Sequence, residues 1–164
     1  MTRVFIGGSR RISRLGAEIR LRLDRIVEKR LPVLIGDANG ADRAVQAYLS
    51  QQSHHLVEVF CADETPRNNI GHWPVRMVRP AGKRRAFDYY AATDRAMADE
   101  STVGLMLWDG ESRGTVMNVL RLAEQRKPVV VYVAPRREFV DLRTFAEFEA
   151  LVGDQLSVRR QLPL

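Results

Sequence analysis

The chain has 164 residues, 45% of them hydrophobic and 28% charged, with a formal net charge of +6 from 26 basic and 20 acidic side chains. That length supports one full hydrophobic core and excludes two ordinary domains, while the composition excludes a disordered or fibrous chain. The positive balance favours anionic partners: nucleotides, phosphates or nucleic acid.

Other classes fall away quickly. No run approaches the roughly 20 apolar residues that a bilayer crossing needs, so no membrane partner is expected. The start "MTRVFIGGSR" has no secretion-signal pattern, and a cytoplasmic location is expected. Cys61 is the sole cysteine, which excludes an internal disulfide and a thiolate metal cluster. His54 and His55 have no carboxylate pattern nearby, so neither a zinc site nor another cofactor is expected, while His72 beside Trp73 is placed either as an acid or base or as a plain surface group.

The first apolar run, "RVFIGG", predicts a strand ending in a glycine turn, where Gly7, Gly8, Ser9 and Arg10 are candidates for an anion cradle. Leu15 to Leu31 carries Leu15, Ile19, Leu23, Ile26 and Val27 at helical spacing. "PVLIGDANGADRA" predicts a second strand, a turn and a helix running through Leu49. In that turn Gly36, Asp37 and Asp42 are candidate ligand residues. Asp37 or Asp42 is placed to accept hydrogen bonds from a ribose diol, with helix capping by Asn39 or Asp42 as the plainer role.

"HLVEVFCA" predicts a third strand, followed by the polar loop "DETPRNNIGHWPVRMVRPAG" with the brief run "VRMV". Trp73 lies on that loop, where it is placed to close over a ligand. A helix is predicted from about Lys83 to Glu100 and carries Asp88, Asp94 and Asp99. The strand "TVGLMLW" then leads into "DGESRGT". Here Asp109, Gly110, Ser112, Gly114 and Thr115 are candidates to hold a phosphate or sugar at the start of a helix spanning about Gly114 to Gln125. Trp108 either stacks on a base or packs in the core. "PVVVYV" predicts another strand, and Leu142 to Leu151 a last helix. Residues 1–152 are read as one domain and 153–164 as a C-terminal tail.

Near-continuous Val, Ile and Leu strands alternating with helices predict a three-layer α/β fold. Its sheet is mostly parallel, with helices on both faces. Ligands in such sheets bind beyond the carboxyl ends of the strands, and the polar clusters fall just there. No G-x-G-x-x-G follows the first strand and no G-x-x-x-x-G-K-[ST] occurs, so the dinucleotide and P-loop readings lose support.

Taken together, "FIGGSR", "VLIGDANGADRAVQAYL" and "DRAMADESTVGLMLWDGESRGTVMNVLRLAEQRKPVVVY" resemble the SLOG superfamily of Rossmann-like domains, in particular the small proteins grouped with YspA and DUF2493. Relatives of that superfamily include the LOG enzymes and the DNA-processing protein DprA. The resemblance covers about Thr2 to Val133 and implies a nucleotide-derived ligand held over the strand ends. LOG enzymes place a catalytic glutamate in P-G-G-x-G-T-x-x-E. Aligning Gly114 and Thr115 with that G-T puts Asn118 at the glutamate position, and the P-G-G is absent.

An amide cannot replace a carboxylate as acid or base, although Asn118 can hold a hydroxyl. The first expectation is therefore binding of a nucleotide or nucleotide-derived ligand, with a sensor as one form of that role. N-glycosidic hydrolysis or transfer is the alternative, with Asp42 and Asp109 as catalytic candidates. Nucleic-acid binding ranks third. A symmetric homodimer is the default expectation.

Overall fold

The computed structural model describes residues 1–79 and 86–161, with the backbone alone described at 86–89 and 155–161. In chain order the elements are β1 (Val4–Gly8), α1 (Ala17–Glu28), β2 (Val33–Gly36), α2 (Ala41–Gln51), β3 (Val57–Cys61), β4 (Val75–Met77), α3 (Ala86–Glu100), β5 (Val103–Trp108), α4 (Arg113–Glu124), β6 (Val129–Val133), β7 (Glu138–Leu142) and α5 (Phe145–Gln161). They form a seven-stranded sheet in the order β4-β3-β2-β1-β5-β6-β7. Every strand pair is parallel except β6 with β7.

The strands have to be apolar along their whole length because both faces of the sheet are covered. On one face Val4 and Ile6 of β1, Val33 and Ile35 of β2 and Leu105 and Leu107 of β5 pack against Ile19, Leu23 and Ile26 of α1 and Val45 and Leu49 of α2. The alternate residues Phe5, Leu34, Phe60, Met106 and Val131 face the other way. There they meet Met97 of α3, Val119 and Leu122 of α4, and Phe148 and Leu151 of α5. The strand period of two thus feeds two separate cores, giving the expected three layers.

Several elements depart from the sequence expectation. "VRMV" is a real edge strand, β4, paired to β3 through Val59 and Val75. An unpredicted strand, β7, folds back on β6 after a left-handed residue at Arg137 (φ 51°) and ends at Leu142, where the sequence predicts the start of a helix. The last helix accordingly begins at Phe145, and it runs to Gln161 through residues read as a tail. Residues 83–85, expected to open the third helix, and 162–164, expected to end the tail, lie outside the described residues, as does the Asp88 side chain.

Trp73 does not cover a cleft. It is 7% exposed, packs in the first core and donates its indole N–H to the His54 carbonyl at 2.9 Å. Asn69 holds it there through two bonds with the Trp73 backbone, at 2.8 and 3.0 Å. Trp108 also belongs to the core: it lies in the second cluster and donates to the Ser112 carbonyl.

Candidate functional site

The sheet order places β1 beside β5, with β2 and β3 leading away on one side and β6 and β7 on the other. At such a switch point the connections leave in opposite directions, α1 and α2 to one face and α3 and α4 to the other, so a crevice opens beyond the strand ends. The crevice here is a cavity of about 580 Å³. Every predicted site residue except Gly110 lines it. Gly110 instead supplies a turn with φ of 84°.

Proximity to the cavity does not mean that a residue is available to a ligand. A Cβ on Gly8 would lie 2.5 Å from the Leu107 carbonyl oxygen and 2.8 Å from the Ala41 Cβ, so this glycine is required by packing between β1, β5 and α2. Gly40 (φ 84°) lets the next turn approach the Arg10 backbone, and the Ala41 amide donates to the Ser9 carbonyl at 3.0 Å. The turn after β1 is thereby clamped to the start of α2. Ser9 is buried, with its hydroxyl oxygen accepting from the Arg11 amide at 3.1 Å.

Asp37, a candidate for the sugar, is committed elsewhere. Its two carboxylate oxygens accept from the Arg67 guanidinium and the Arg67 amide, each at 2.8 Å, and its carbonyl accepts from the Asn68 side chain. Arg67 in turn lies over the Tyr90 ring, 4.5 Å from its centre, while Arg10 lies 5.6 Å from it.

Asp109 is used locally as well. Its Oδ1 accepts the amides of Glu111 at 3.0 Å and Ser112 at 2.7 Å, which shapes the loop entering α4. Burial pushes this carboxyl up, but those amides and the Ser9 side chain outweigh it and hold its pKa below the ordinary aspartate value. A carboxylate kept ionised and filled with amide donors holds no proton to give as a general acid at neutral pH.

The first turn of α4 has a different character. Ser112 occupies the cap position without capping an amide, its hydroxyl instead accepting from Thr115 at 3.2 Å. Nothing would lie within 4 Å of a Cβ on Gly114, so this turn presents its backbone to open space. The leading amides of a helix have no partner within it and carry the positive end of its dipole.

Deeper in, Asp42 of α2 and Asp94 of α3 reach the cavity from opposite layers of the fold. Asp42 accepts the Ala38 amide at 3.1 Å. Burial, together with the like charge of Asp94, pushes its pKa up to about 7. Burial likewise raises Asp94 to about 6, against the pull of Arg121, Asn118 and Arg10. Asn118 accepts from Arg121 at 2.7 Å, and Arg121 stands 3.9 Å from Asp94. The amide at the position matched to the LOG glutamate therefore ties an arginine to a carboxylate supplied by another helix.

Sequence reasoning gave Asp94 little weight and missed Thr93, Arg121, Arg67 and Tyr90, all of which line the cavity. A signal was present for Asp94, which shares a helical face with Ala91, Met97 and Ala98, all buried. A carboxylate on an apolar face is a better functional marker than one on a solvated face. Glu64, on the loop after β3, is exposed and does not line the cavity. Among the described residues no group of three or more His, Cys, Asp or Glu is placed to hold a metal ion, and no described helix is long and apolar enough to cross a membrane.

No known protein family and no curated protein matches the chain. Among solved structures it is similar to DNA processing protein A from Helicobacter pylori, a structure described for its mode of binding single-stranded DNA. The two share 15% identity with a TM-score of 0.58, over 79% of this chain and 64% of the other. The chain has a Rossmann-like fold like that of DNA processing protein A. At that identity the likeness concerns the fold, and the chain spans less than two thirds of its neighbour's length.

Proposed function

We propose that the chain binds a nucleotide or nucleotide-derived ligand in the crevice over β1 and β5. The observation that carries this reading is the uncapped first turn of α4, open at Gly114 and sharing one cavity with Arg10 and the Ser9 turn. Free helix-start amides and a guanidinium on one cavity suit a phosphate, because the amides are oriented toward it and the charge is permanent. A volume of about 580 Å³ falls in the range of small-ligand pockets.

Titration calorimetry with AMP and adenosine tests this reading. Arg10→Ala should weaken AMP about tenfold, the equivalent of one charge-assisted hydrogen bond, and leave adenosine nearly unchanged. Equal weakening of both would remove the phosphate from this end of the crevice.

One observation favours a second reading, binding of single-stranded nucleic acid. Arg10 and Arg67 both lie against Tyr90 at the cavity, an arrangement that offers cations and an aromatic face together. The net charge of +6 and the DNA-binding neighbour agree with it. Binding of an oligo-dT by this route should fall steeply between 50 and about 200 mM salt. Affinity independent of salt would rule it out.

A further inference from the structure

In sheets of this order the sugar is ordinarily held by an acidic residue after the second strand. Here Asp37 occupies that place, and both of its oxygens are taken by Arg67. Two other carboxylates reach the same cavity and keep acceptor capacity. Asp42 receives one backbone amide at one oxygen, and Asp94 is approached by Asn118 and by Arg121 at 3.9 Å. Gly36 leaves room for the first of them, since a Cβ there would stand 2.6 Å from the Asp42 Oδ2. Beside them Thr93, 5% exposed, also lines the cavity, and its hydroxyl has no hydrogen-bond partner among the described residues. Buried hydroxyls are nearly always partnered, so an orphan in a cavity wall leaves a bond that a ligand atom or a water can supply.

We infer that the floor of the crevice, between Asp42 of α2 and Asp94 of α3 and beside the Thr93 hydroxyl, binds the vicinal diol of a ribose, so that the crevice prefers ribonucleotides to 2′-deoxyribonucleotides. The inference rests on the nucleotide reading above and adds the part of the ligand that the floor selects. A diol brings two O–H donors to two carboxylate acceptors, and its oxygens can accept in return from Thr93. Such a site rejects an analogue lacking one hydroxyl because a desolvated carboxylate is then left short of a donor.

The selection depends on pH. Asp42 faces Asp94, Asp37 and Arg67, and Asp94 faces Arg121 and Arg10. An ionised carboxylate accepts more strongly than a neutral acid. Preference for ribose should therefore be greatest when both are ionised, and should shrink as the pH falls through about 7 for Asp42 and about 6 for Asp94. Comparing ribose with deoxyribose at each pH cancels the titration of the phosphate itself.

The experiment is titration calorimetry of the full chain with AMP and dAMP at alkaline and acid pH, roughly 8 and 5, on either side of the two carboxyl pKa values. At the upper pH AMP should bind about tenfold more tightly than dAMP, and at the lower pH the ratio should approach one. Asp94→Asn should bring the ratio toward one at the upper pH. Thr93→Val, which preserves shape, should lower the ratio without the risk of disturbing a charged cluster, so the test stands even where Asp94→Asn fails to fold. Equal binding of AMP and dAMP to the wild-type chain at the upper pH overturns the diol site and leaves the nucleotide reading intact. A ratio unmoved by either substitution also overturns it, and binding of neither nucleotide overturns both.

Discussion

At the residue scale, Asp42, Asp109 and Gly8 show how one cavity wall sorts similar residues into different tasks. Asp109 is surrounded by amides and held low, whereas Asp42 is desolvated beside a like charge and pushed up to about 7. For Asp42 the folded-state pKa lies above the unfolded one, so the native state holds a proton that the unfolded chain has released, and the group lowers stability as the pH rises from about 4 to about 7. Asp42→Asn keeps the acceptor for the Ala38 amide and removes the charge. Thermal melts should therefore show the variant gaining on the wild type as pH rises from 4 to about 8, and a gap constant with pH would contradict that burial. Asp109 has the opposite sign. Its contribution is present above the ordinary aspartate range and is lost as pH falls through its lowered pKa. Asp109→Ala should cost about 1–2 kcal/mol in urea unfolding at neutral pH, as other losses of acceptors at a helix entry do. Gly8→Ala should cost about 1–3 kcal/mol through overpacking, because the atoms that its Cβ meets are the Leu107 backbone and the fixed Ala41 Cβ.

At the element scale, the long polar segment between β3 and β4 is held by side chains that the sequence does not single out. Gln46 of α2 is fully buried, donating to the carbonyls of Gly36 at 2.9 Å and Asn68 at 3.1 Å and accepting from the Ile70 amide at 3.0 Å. One side chain thus joins the end of β2 to the loop that carries Arg67. Gln46→Leu should leave the Ile70 amide and two carbonyls unsatisfied, at a cost of about 1–3 kcal/mol per group stranded away from water. Proteolysis within 62–74 should accelerate along with the loss of stability, and an unchanged cleavage rate would mean that the loop is held by other contacts. The short strands β4 and β7 escaped sequence reading for a related reason. Neither has a long apolar run of its own, and each is specified by pairing to a neighbour already in place, β4 to β3 and β7 to β6. Phe139 of β7 gains its setting from Tyr132, 5.0 Å away between ring centres, and from Arg22 of α1.

At the scale of the whole molecule, the sheet order sets both stability and the place of the crevice. The central strands β1 and β5 are paired on both sides and covered by both cores, while β4 is an edge strand with exposed side chains. Hydrogen exchange should accordingly be slowest in β1, β2 and β5 and faster by several orders of magnitude in β4, since opening free energies range from near zero at frayed edges to the global value in the core. Uniform exchange across the sheet would contradict this hierarchy. Local pattern alone determined a good deal of the protein: the two-faced apolar strands, the intervening amphipathic helices, the mostly parallel sheet and the glycine-rich turns at the strand ends. These properties rest on periodicity and on glycine's freedom of backbone, both of which are local. Only the tertiary structure decided which polar residues at those turns were free. Asp37 was drawn to Arg67 and Asp109 to two amides, while Asp42 and Asp94, on helices packed against opposite faces of the sheet, were brought to one cavity. Hydrogen bonding and charge act through space rather than along the chain, so a residue's availability depends on neighbours that the order of the sequence does not reveal.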